Sequence, residues 1–147
     1  MAPNQRIWVA ELEGRIIAVA LAKFFSPETS FEFYALYGEA TLAKLRSFRV
    51  GSFSSMGVHE DFQRHGIGMQ LSLKREEWLK SLGADLIVGI SWVSGLPNSS
   101  DRNFEKMGFI SQGTVKSLFE TSMPDLLCPV CKVPPCLCAG TLYFKEV

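Results

Sequence analysis

The six residues Gln63-Arg64-His65-Gly66-Ile67-Gly68 have the composition of an anion-binding loop. They follow a strand-like segment and open the clearest amphipathic helix of the sequence. Free backbone N–H groups at a helix start, together with the positive end of the helix dipole, attract phosphate. Gly66 and Gly68 lack the β-carbons that would keep a phosphate off the backbone, and Arg64 and His65 add positive charge at the rim. The pattern indicates a phosphate site, although two glycines also suit a plain strand-to-helix turn.

Two common nucleotide-binding motifs do not fit this loop. A P-loop requires Gly-Lys-Ser/Thr at the helix start, whereas Ile67-Gly68-Met69 follows Gly66 here. The dinucleotide fingerprint requires glycine or alanine three residues after its second glycine, and that position is Leu71. The phosphate therefore belongs to another kind of ligand.

All four cysteines lie in one short segment, as Cys128-x-x-Cys131 followed by Cys136-x-Cys138. Four thiolates at this spacing can close a tetrahedral Zn–S₄ site, which is the interpretation we favour. A pair of redox-active disulfides is the alternative, because CxxC is also a redox motif. No open coordination position is indicated. We therefore expect structural zinc, held by an insertion at 124–140 before the last strand.

Strands alternate with helices along the chain. Two apolar runs joined by Glu13-Gly14-Arg15 predict a β-hairpin over 7–25. The segment 48–58 predicts a strand, and its change of phase between Val50 and Phe53 suggests a bulge. The remaining predicted elements are short helices at 39–45 and from 99–101 to 108, a main helix from 67 to 82, and strands at 86–90, 109–119 and 141–147.

The main helix should pack one face on the rest of the domain. Its predicted apolar stripe consists of Ile67, Leu71, Trp78, Leu79 and Leu82. Glu76 and Lys80 are expected to form an ion pair on the solvent side, and Gly83 suits the left-handed position after the last turn. Strands interleaved with helices indicate an α/β or α+β sheet domain.

Composition limits the class of protein. The chain has 147 residues, 47% of them hydrophobic, and fifteen basic residues balance fifteen acidic ones. This predicts a single domain, 1–147, with no nucleic-acid-binding face. The longest apolar run, 16–22, is too short to cross a bilayer. Because Glu11 and Glu13 precede that run, the N-terminus does not resemble a signal peptide, and we expect a cytoplasmic protein with no membrane partner.

Two segments carry a resemblance to a known family. Gln63-x-x-Gly66-x-Gly68, between a strand and a helix, resembles the coenzyme A signature Q/R-x-x-G-x-G/A of the Gcn5-related N-acetyltransferase (GNAT) superfamily. The segment Asn103-Phe104-Glu105-Lys106-Met107-Gly108-Phe109 is similar to the family's aromatic-Glu-Lys-x-Gly-Phe. Together with the strands that flank them, the two matches cover about residues 48–119. The resemblance implies a central mixed, mostly antiparallel twisted sheet flanked by helices.

The resemblance also implies a reaction: an amine attacks the thioester of acetyl-coenzyme A directly, while the enzyme positions and polarises the carbonyl. The backbone from Arg64 to Met69 would hold the pyrophosphate, the strand at 56–58 would bond the pantetheine arm, and Gln63 would orient the loop. The implied coenzyme A-binding residues are Met56, Val58, Gln63, Arg64, His65, Gly66, Ile67, Gly68, Met69, Asn98 and Phe104.

The catalytic residues are less well marked. Many family members place a tyrosine before Gly-Phe to protonate the departing thiolate, but here that position is Phe104, which cannot donate a proton. The thiolate then leaves unassisted, or Ser99, Ser100 or a water serves. The segment 48–58 holds no carboxylate to act as general base, so Glu60 in the adjoining loop is the nearest candidate.

The N-terminal part of the chain departs from the family. Members usually carry a strand and two helices before the hairpin, whereas only about six residues precede Ile7, so that unit is shortened or missing. The aromatic stretch 31–45 or a second copy of the chain could wall the acceptor site, and a homodimer is compatible with the sequence. These aromatics are equally compatible with plain core packing.

Two functions from different classes follow. The first is an N-acetyltransferase acting on a primary amine of a small molecule or a protein. The alternative is a non-catalytic acyl-coenzyme A sensor or interaction module, and a weaker third is a partner-binding zinc ribbon on a scaffold.

Overall fold

A computed structural model of the chain describes residues 4–93 and 100–147. The strands are β1 (Gln5–Leu12), β2 (Arg15–Phe24), β3 (Val50–Val58), β4 (Leu86–Val93), β5 (Ile110–Val115) and β6 (Ala139–Glu146). The α-helices are α1 (Glu39–Ser47), α2 (Ile67–Ser81) and α3 (Asp101–Lys106), with 3-10 helices at Glu32–Tyr37 and Glu60–Phe62.

The strands run in the order β1-β2-β3-β4-β6-β5 in a mixed sheet. The β1–β2, β2–β3 and β5–β6 pairs are antiparallel, whereas β3 and β4 are parallel. This confirms the predicted mixed α/β class and mostly antiparallel sheet.

The chain divides into two compact units. The first comprises Met1–Thr29, Phe48–Gly89 and Lys145–Val147, and the second Ser30–Ser47 and Ile90–Phe144. The loop from Gln63 to Gly68 belongs to the first unit and the cysteines to the second.

The hairpin of the first unit is closed by a two-residue turn. Glu13 and Gly14 both have positive φ, 50° and 78°, which is the type I′ geometry that matches the twist of antiparallel strands. The prediction of a hairpin is confirmed, with β1 beginning at Gln5 rather than Ile7.

Helix α2 packs closely on the strands of this unit. Leu71 lies against Ala18 and Ala20 of β2, all of them buried. A β-carbon on Gly51 of β3 would lie only 2.6 Å from Cδ2 of the fully buried Leu79. Glycine at this position therefore allows α2 to approach β3, and the helix in turn fixes where its N-terminal loop begins.

Two details of α2 differ from the sequence predictions. Leu82 is 42% exposed, because α2 ends at Ser81 and the chain turns away at Gly83, φ 93°. Glu76 does not pair with Lys80: its carboxylate accepts from Lys145 Nζ at 2.9 and 3.0 Å. Lys145 comes from the end of β6, so no local pattern on the helix could reveal this partner.

The predicted bulge is present in β3, but in a different place. Between the pairs Leu21–Ser55 and Ala22–Phe53 the β2–β3 register shifts, which leaves Ser54 as the extra residue. Val50 and Phe53 differ in phase for another reason. They face opposite sides of a segment that is buried on both faces.

The second unit holds α1, α3, β5 and most of β6. As predicted, α1 begins at Glu39, and α3 ends before Gly108, whose φ is 83°. Strand β5 stops at Val115, short of the predicted Phe119, because the chain turns there and Ser117 adopts a φ of 51°. In the described residues, no helix is long and apolar enough to cross a membrane.

Candidate functional site

The loop between β3 and α2 is held by its own hydrogen bonds. The side-chain amide of Gln63 donates to the carbonyl of Val58 at 2.9 Å, which ties the loop to the end of β3. Before it, the N–H of Phe62 donates to the carbonyl of His59 at 2.9 Å, and the N–H of Asp61 donates to His59 Nδ1 at 3.2 Å. Gln63 thus orients the loop through its side chain.

The backbone of the loop turns through two left-handed residues. Arg64 has φ 64°, and Gly66, at the N-cap of α2, has φ 81° and ψ 1°. Such turns point successive N–H groups into one concavity. Gly66 offers no capping side chain, and the first-turn N–H groups of Ile67, Gly68 and Met69 have no carbonyl one turn earlier to bond. The loop therefore presents a row of donors to an anion.

The charged side chains at the loop are all solvent-exposed. Arg64 and His65 flank the concavity, and His65 Nδ1 lies 3.1 Å from the carbonyl of Phe62. A nitrogen facing a carbonyl acts as donor, so Nε2 remains for other partners. Glu60 and Asp61 lie in the preceding 3-10 helix and are also exposed. Glu60 has no buried surroundings that would mark it as a base.

Strand β3 continues beyond its pairing with β4. The parallel ladder runs from Val50–Leu86 to Phe53–Gly89, while β3 extends to Val58. The side chains of Met56 and Val58 pack toward Ala18 and Leu71, so these two residues can offer a ligand only their backbone. A shallow cleft of about 340 Å³ adjoins this end of the strand, lined by residues 16–19 and 57–59.

The remaining predicted site residues belong to the second unit. Phe104 is buried and stacks on Tyr143, with ring centroids 4.8 Å apart and planes 9° apart, and it meets Phe109 edge-on at 5.0 Å. Ser100 is the N-cap residue of α3, but its hydroxyl makes no capping hydrogen bond. Asn98 and Ser99 lie outside the described residues.

A polar pair in the second unit was not anticipated from sequence. Tyr143 donates its hydroxyl to Asp101 Oδ1 at 2.8 Å. Burial and this carboxylate raise the pKa of Tyr143 to about 12. Neither residue belongs to a motif, and 42 positions separate them, so no sequence signal could have joined them.

The four cysteine sulfurs converge within the second unit. All four Sγ atoms lie within 4.8 Å of one another, with Cys128–Cys138 at 3.8 Å and Cys131–Cys138 at 3.6 Å. A tetrahedral site with Zn–S bonds of about 2.3 Å has sulfurs about 3.8 Å apart. These two separations fit a shared metal and are much longer than a disulfide bond of about 2.05 Å.

Backbone N–H groups donate to two of the four sulfurs. The N–H groups of Val130 and Cys131 each donate to Cys128 Sγ at 3.3 Å, and the N–H of Leu137 donates to Cys131 Sγ at 3.4 Å. Burial raises the pKa of Cys128, but the donated hydrogen bonds outweigh burial and lower that pKa to about 7, whereas burial and the neighbouring thiols raise the pKa of Cys138 to about 12. The cluster packs against the aromatic rings of Trp92 and Phe119.

A family model and several solved structures that resemble this chain are all acetyltransferases. Residues 1–109 match the model of the acetyltransferase (GNAT) family. No curated protein matches the chain significantly. The fold is shared with an N-acetyltransferase from Staphylococcus aureus Mu50, at TM-score 0.63 and 16% identity over 97% of this chain and 67% of that one.

Two further solved structures share the fold. An agmatine N-acetyltransferase gives TM-score 0.65 and 15% identity over 96% of this chain and 76% of that one. A putative streptothricin acetyltransferase from Bacillus anthracis str. Ames, solved in complex with acetyl coenzyme A, gives TM-score 0.60 and 16% identity over 99% and 64%.

Proposed function

Because the chain belongs to the acetyltransferase (GNAT) family, we propose that it transfers the acetyl group of acetyl-coenzyme A to a primary amine of a small molecule or a protein. The observation that carries this proposal is the left-handed turn at Arg64–Gly66, which aims free backbone donors at the start of α2. The Bacillus anthracis relative, solved with acetyl coenzyme A, supports the choice of ligand.

The pyrophosphate is assigned to the N–H groups of Arg64 to Met69, with Arg64 and His65 at its rim. The pantetheine arm is assigned to the backbone of Met56–Val58, where β3 has passed the end of its β4 ladder. Gln63 keeps these two parts in register through its hydrogen bond to Val58. Asn98 and Phe104 remain assigned by resemblance alone.

In the proposed reaction the amine nitrogen attacks the thioester carbonyl. The C–S bond then breaks, the coenzyme A thiolate leaves, and the amine's proton passes to water or to Glu60. Phe104 has no proton to give, so the thiolate is protonated by solvent or by Ser99 or Ser100. The chain contributes mainly by holding thioester and amine in reacting geometry.

A thiol-release assay over a panel of amines tests this function. The panel should contain small polyamines, aminoglycoside-like amines and lysine peptides, with Gly68→Glu as the inactive control. We expect thiol release that depends on both acetyl-coenzyme A and one class of amine. Tight coenzyme A binding in calorimetry with no turnover on any amine would instead favour the non-catalytic acyl-coenzyme A sensor.

We also propose that Cys128, Cys131, Cys136 and Cys138 hold one structural zinc ion. The sulfur separations support one common centre for all four side chains, and backbone N–H groups donate to the sulfurs of Cys128 and Cys131. On this proposal residues 1–147 are one acyltransferase domain, with 124–140 as a zinc-binding insertion. The N–H of Leu118 bonds the carbonyl of Cys138 at 3.3 Å, so the centre would fix the connection between β5 and β6.

Elemental analysis tests the zinc proposal. Purified protein should contain about one zinc per chain, since four thiolates form one tetrahedral site. Cys136→Ser should lower that content, whereas Ser122→Ala, outside the cluster, should not. Protein without zinc or iron, carrying instead two disulfides by mass spectrometry, would establish the redox alternative.

A further inference from the structure

Arg75 is a buried cation on the inner face of α2. It is only 3% exposed, and its guanidinium carbon lies 4.0 Å from the centroid of the Phe53 ring. Within the part of the chain that the structure describes, no carboxylate pairs with it, and Nε has no hydrogen-bond partner. A buried charge without a counter-ion is unfavourable unless its hydrogen bonds are used for something specific.

The hydrogen bonds of Arg75 converge on one place in the sheet. Nη1 donates to the carbonyls of Leu21 and Ser55, at 3.3 and 3.4 Å. Nη2 donates to Ser72 Oγ at 3.0 Å and approaches Met56 Sδ at 3.6 Å. Leu21 and Ser55 are the last regular β2–β3 pair before the bulge. The guanidinium therefore spans the two strands where their ladder is interrupted.

The bulge coincides with the end of the β3–β4 ladder. The ladder stops at Phe53, and the extra residue of the bulge is Ser54. A bulge bends its strand and can terminate pairing beside an active site. From Ser54 to Val58 the backbone of β3 is thus positioned by the bulge, and this stretch contains Met56–Val58, which is assigned above to the pantetheine arm of acetyl-coenzyme A.

We propose that Arg75 is a positioning residue for acyl transfer, whose guanidinium holds the β2–β3 bulge at Ser54 and so fixes the backbone assigned to the pantetheine arm. The inference rests on the proposed function. Burial lowers the pKa of Arg75 from 12.5 to about 10, which leaves it protonated at neutral pH. Ser72 keeps the guanidinium directed at the sheet.

The test compares Arg75→Met, which removes the donors but keeps an apolar side chain of similar length, with Lys74→Met. Lys74 is the exposed neighbour on the same helix, so the control loses the same charge. For Arg75→Met we expect kcat to fall about 30-fold, because misplacement by about 1 Å can cost about 100-fold. The KM for acetyl-coenzyme A and the Kd of coenzyme A should change less than about threefold, since the loop donors are untouched.

Hydrogen exchange gives a second readout that needs no substrate. The amides of Ser54 to Met56 should exchange about tenfold faster in Arg75→Met, because the carbonyls that hold the bulge lose their donor. Lys74→Met should leave both kcat and exchange unchanged. Wild-type kcat together with wild-type exchange in Arg75→Met would overturn the proposal and make Arg75 a space-filling residue.

Two variants cover the case in which Arg75→Met does not fold. Arg75→Lys keeps the charge but cannot reach both carbonyls, and Ser72→Ala removes one contact of the guanidinium. Each should give an intermediate rise in exchange at Ser54, and unchanged exchange in both would also overturn the proposal. If the wild type acetylates no amine, the acyltransferase proposal fails, while the exchange measurement still decides whether Arg75 holds the bulge.

Discussion

At the scale of single residues, the candidate ligand loop works through backbone groups. Gly66 adopts a left-handed conformation that strains any other residue, although a β-carbon there would meet open space. The side chain of Gln63 bonds the end of β3. The loop therefore offers a ligand its backbone N–H groups, and the missing β-carbon of Gly66 leaves them accessible.

Gly68→Glu should abolish coenzyme A binding without unfolding the domain. The new side chain would occupy the space of a phosphate, and its charge would repel one. Calorimetry with coenzyme A and a thermal melt provide the measurements. Gln70→Glu is the matched control, because it adds the same charge at an exposed position of the same helix. Wild-type affinity in Gly68→Glu would contradict the assignment of the loop.

At the scale of elements, α2 and β3 are fitted to each other. The missing β-carbon of Gly51 leaves room for Leu79. The guanidinium of Arg75 hydrogen-bonds the sheet beside the bulge, and Lys145 hydrogen-bonds Glu76 on the helix. The helix is thus held along its length, which keeps its N-terminal donors in a fixed position relative to β3.

Gly51→Ala should destabilise the domain by about 1–3 kcal/mol, the usual cost of overpacking a filled core. The added β-carbon would lie 2.6 Å from Cδ2 of Leu79, which has no exposed surface to move toward. Gly57→Ala in the same strand is the control, because nothing lies within 4 Å of its β-carbon. Urea unfolding of both variants measures the difference, and equal midpoints would contradict the packing described here.

The fluorescence of a neighbouring tryptophan should report whether the cysteine segment holds a metal. Trp92 packs on the cluster, whereas the other two tryptophans, Trp8 and Trp78, stack edge-to-face on each other in the first unit. Chelation of zinc should loosen the segment and shift the tryptophan emission, since a metal site orders the chain that binds it. In Trp92→Phe that shift should disappear. A shift that persists there would mean that the metal acts elsewhere.

At the scale of the whole molecule, all three tyrosines of the chain lie in the second unit and resist ionisation. Burial raises the pKa of Tyr34 to about 12, and burial with the neighbouring Tyr34 does the same for Tyr37. Tyr143 has the same raised value. Tyr37 also donates its hydroxyl to the carbonyl of Gly140 at 2.7 Å. The stability of the second unit therefore depends on these three tyrosine hydroxyls remaining protonated.

Stability should fall as pH rises from 10 to 12. An unfolded chain releases these three protons near pH 10, whereas the folded chain retains them to about 12. At these three groups the folded state then binds more protons than the unfolded state, so the contribution of the tyrosines to the free energy of unfolding decreases with pH in this window and is constant below it. Absorbance at 295 nm against pH, paired with circular dichroism, measures both. Phenolate appearing near pH 10 in folded protein would contradict the burial of these rings.

The sequence alone determined the features that a few neighbouring residues encode. Glu13-Gly14 specified the hairpin turn, Gly83 and Gly108 the helix ends, and the segment from Gln63 to Gly68 the strand-to-helix turn to which we assign the anion. The spacing of the four cysteines predicted a common centre before their sulfurs were seen to converge. In each case the information is local, because turn conformation, helix capping and ligand spacing depend on residues close in the chain.

Which distant groups meet depends on how the whole elements pack. Glu76 pairs with Lys145 instead of Lys80, the bulge falls at Ser54, and Arg75 is buried on a face that periodicity reserves for apolar residues. Tyr143 and Asp101 likewise find each other across the second unit. A side chain's partner is set by the packing of whole elements, and that packing is a sum over many weak contacts that no local pattern in the sequence contains.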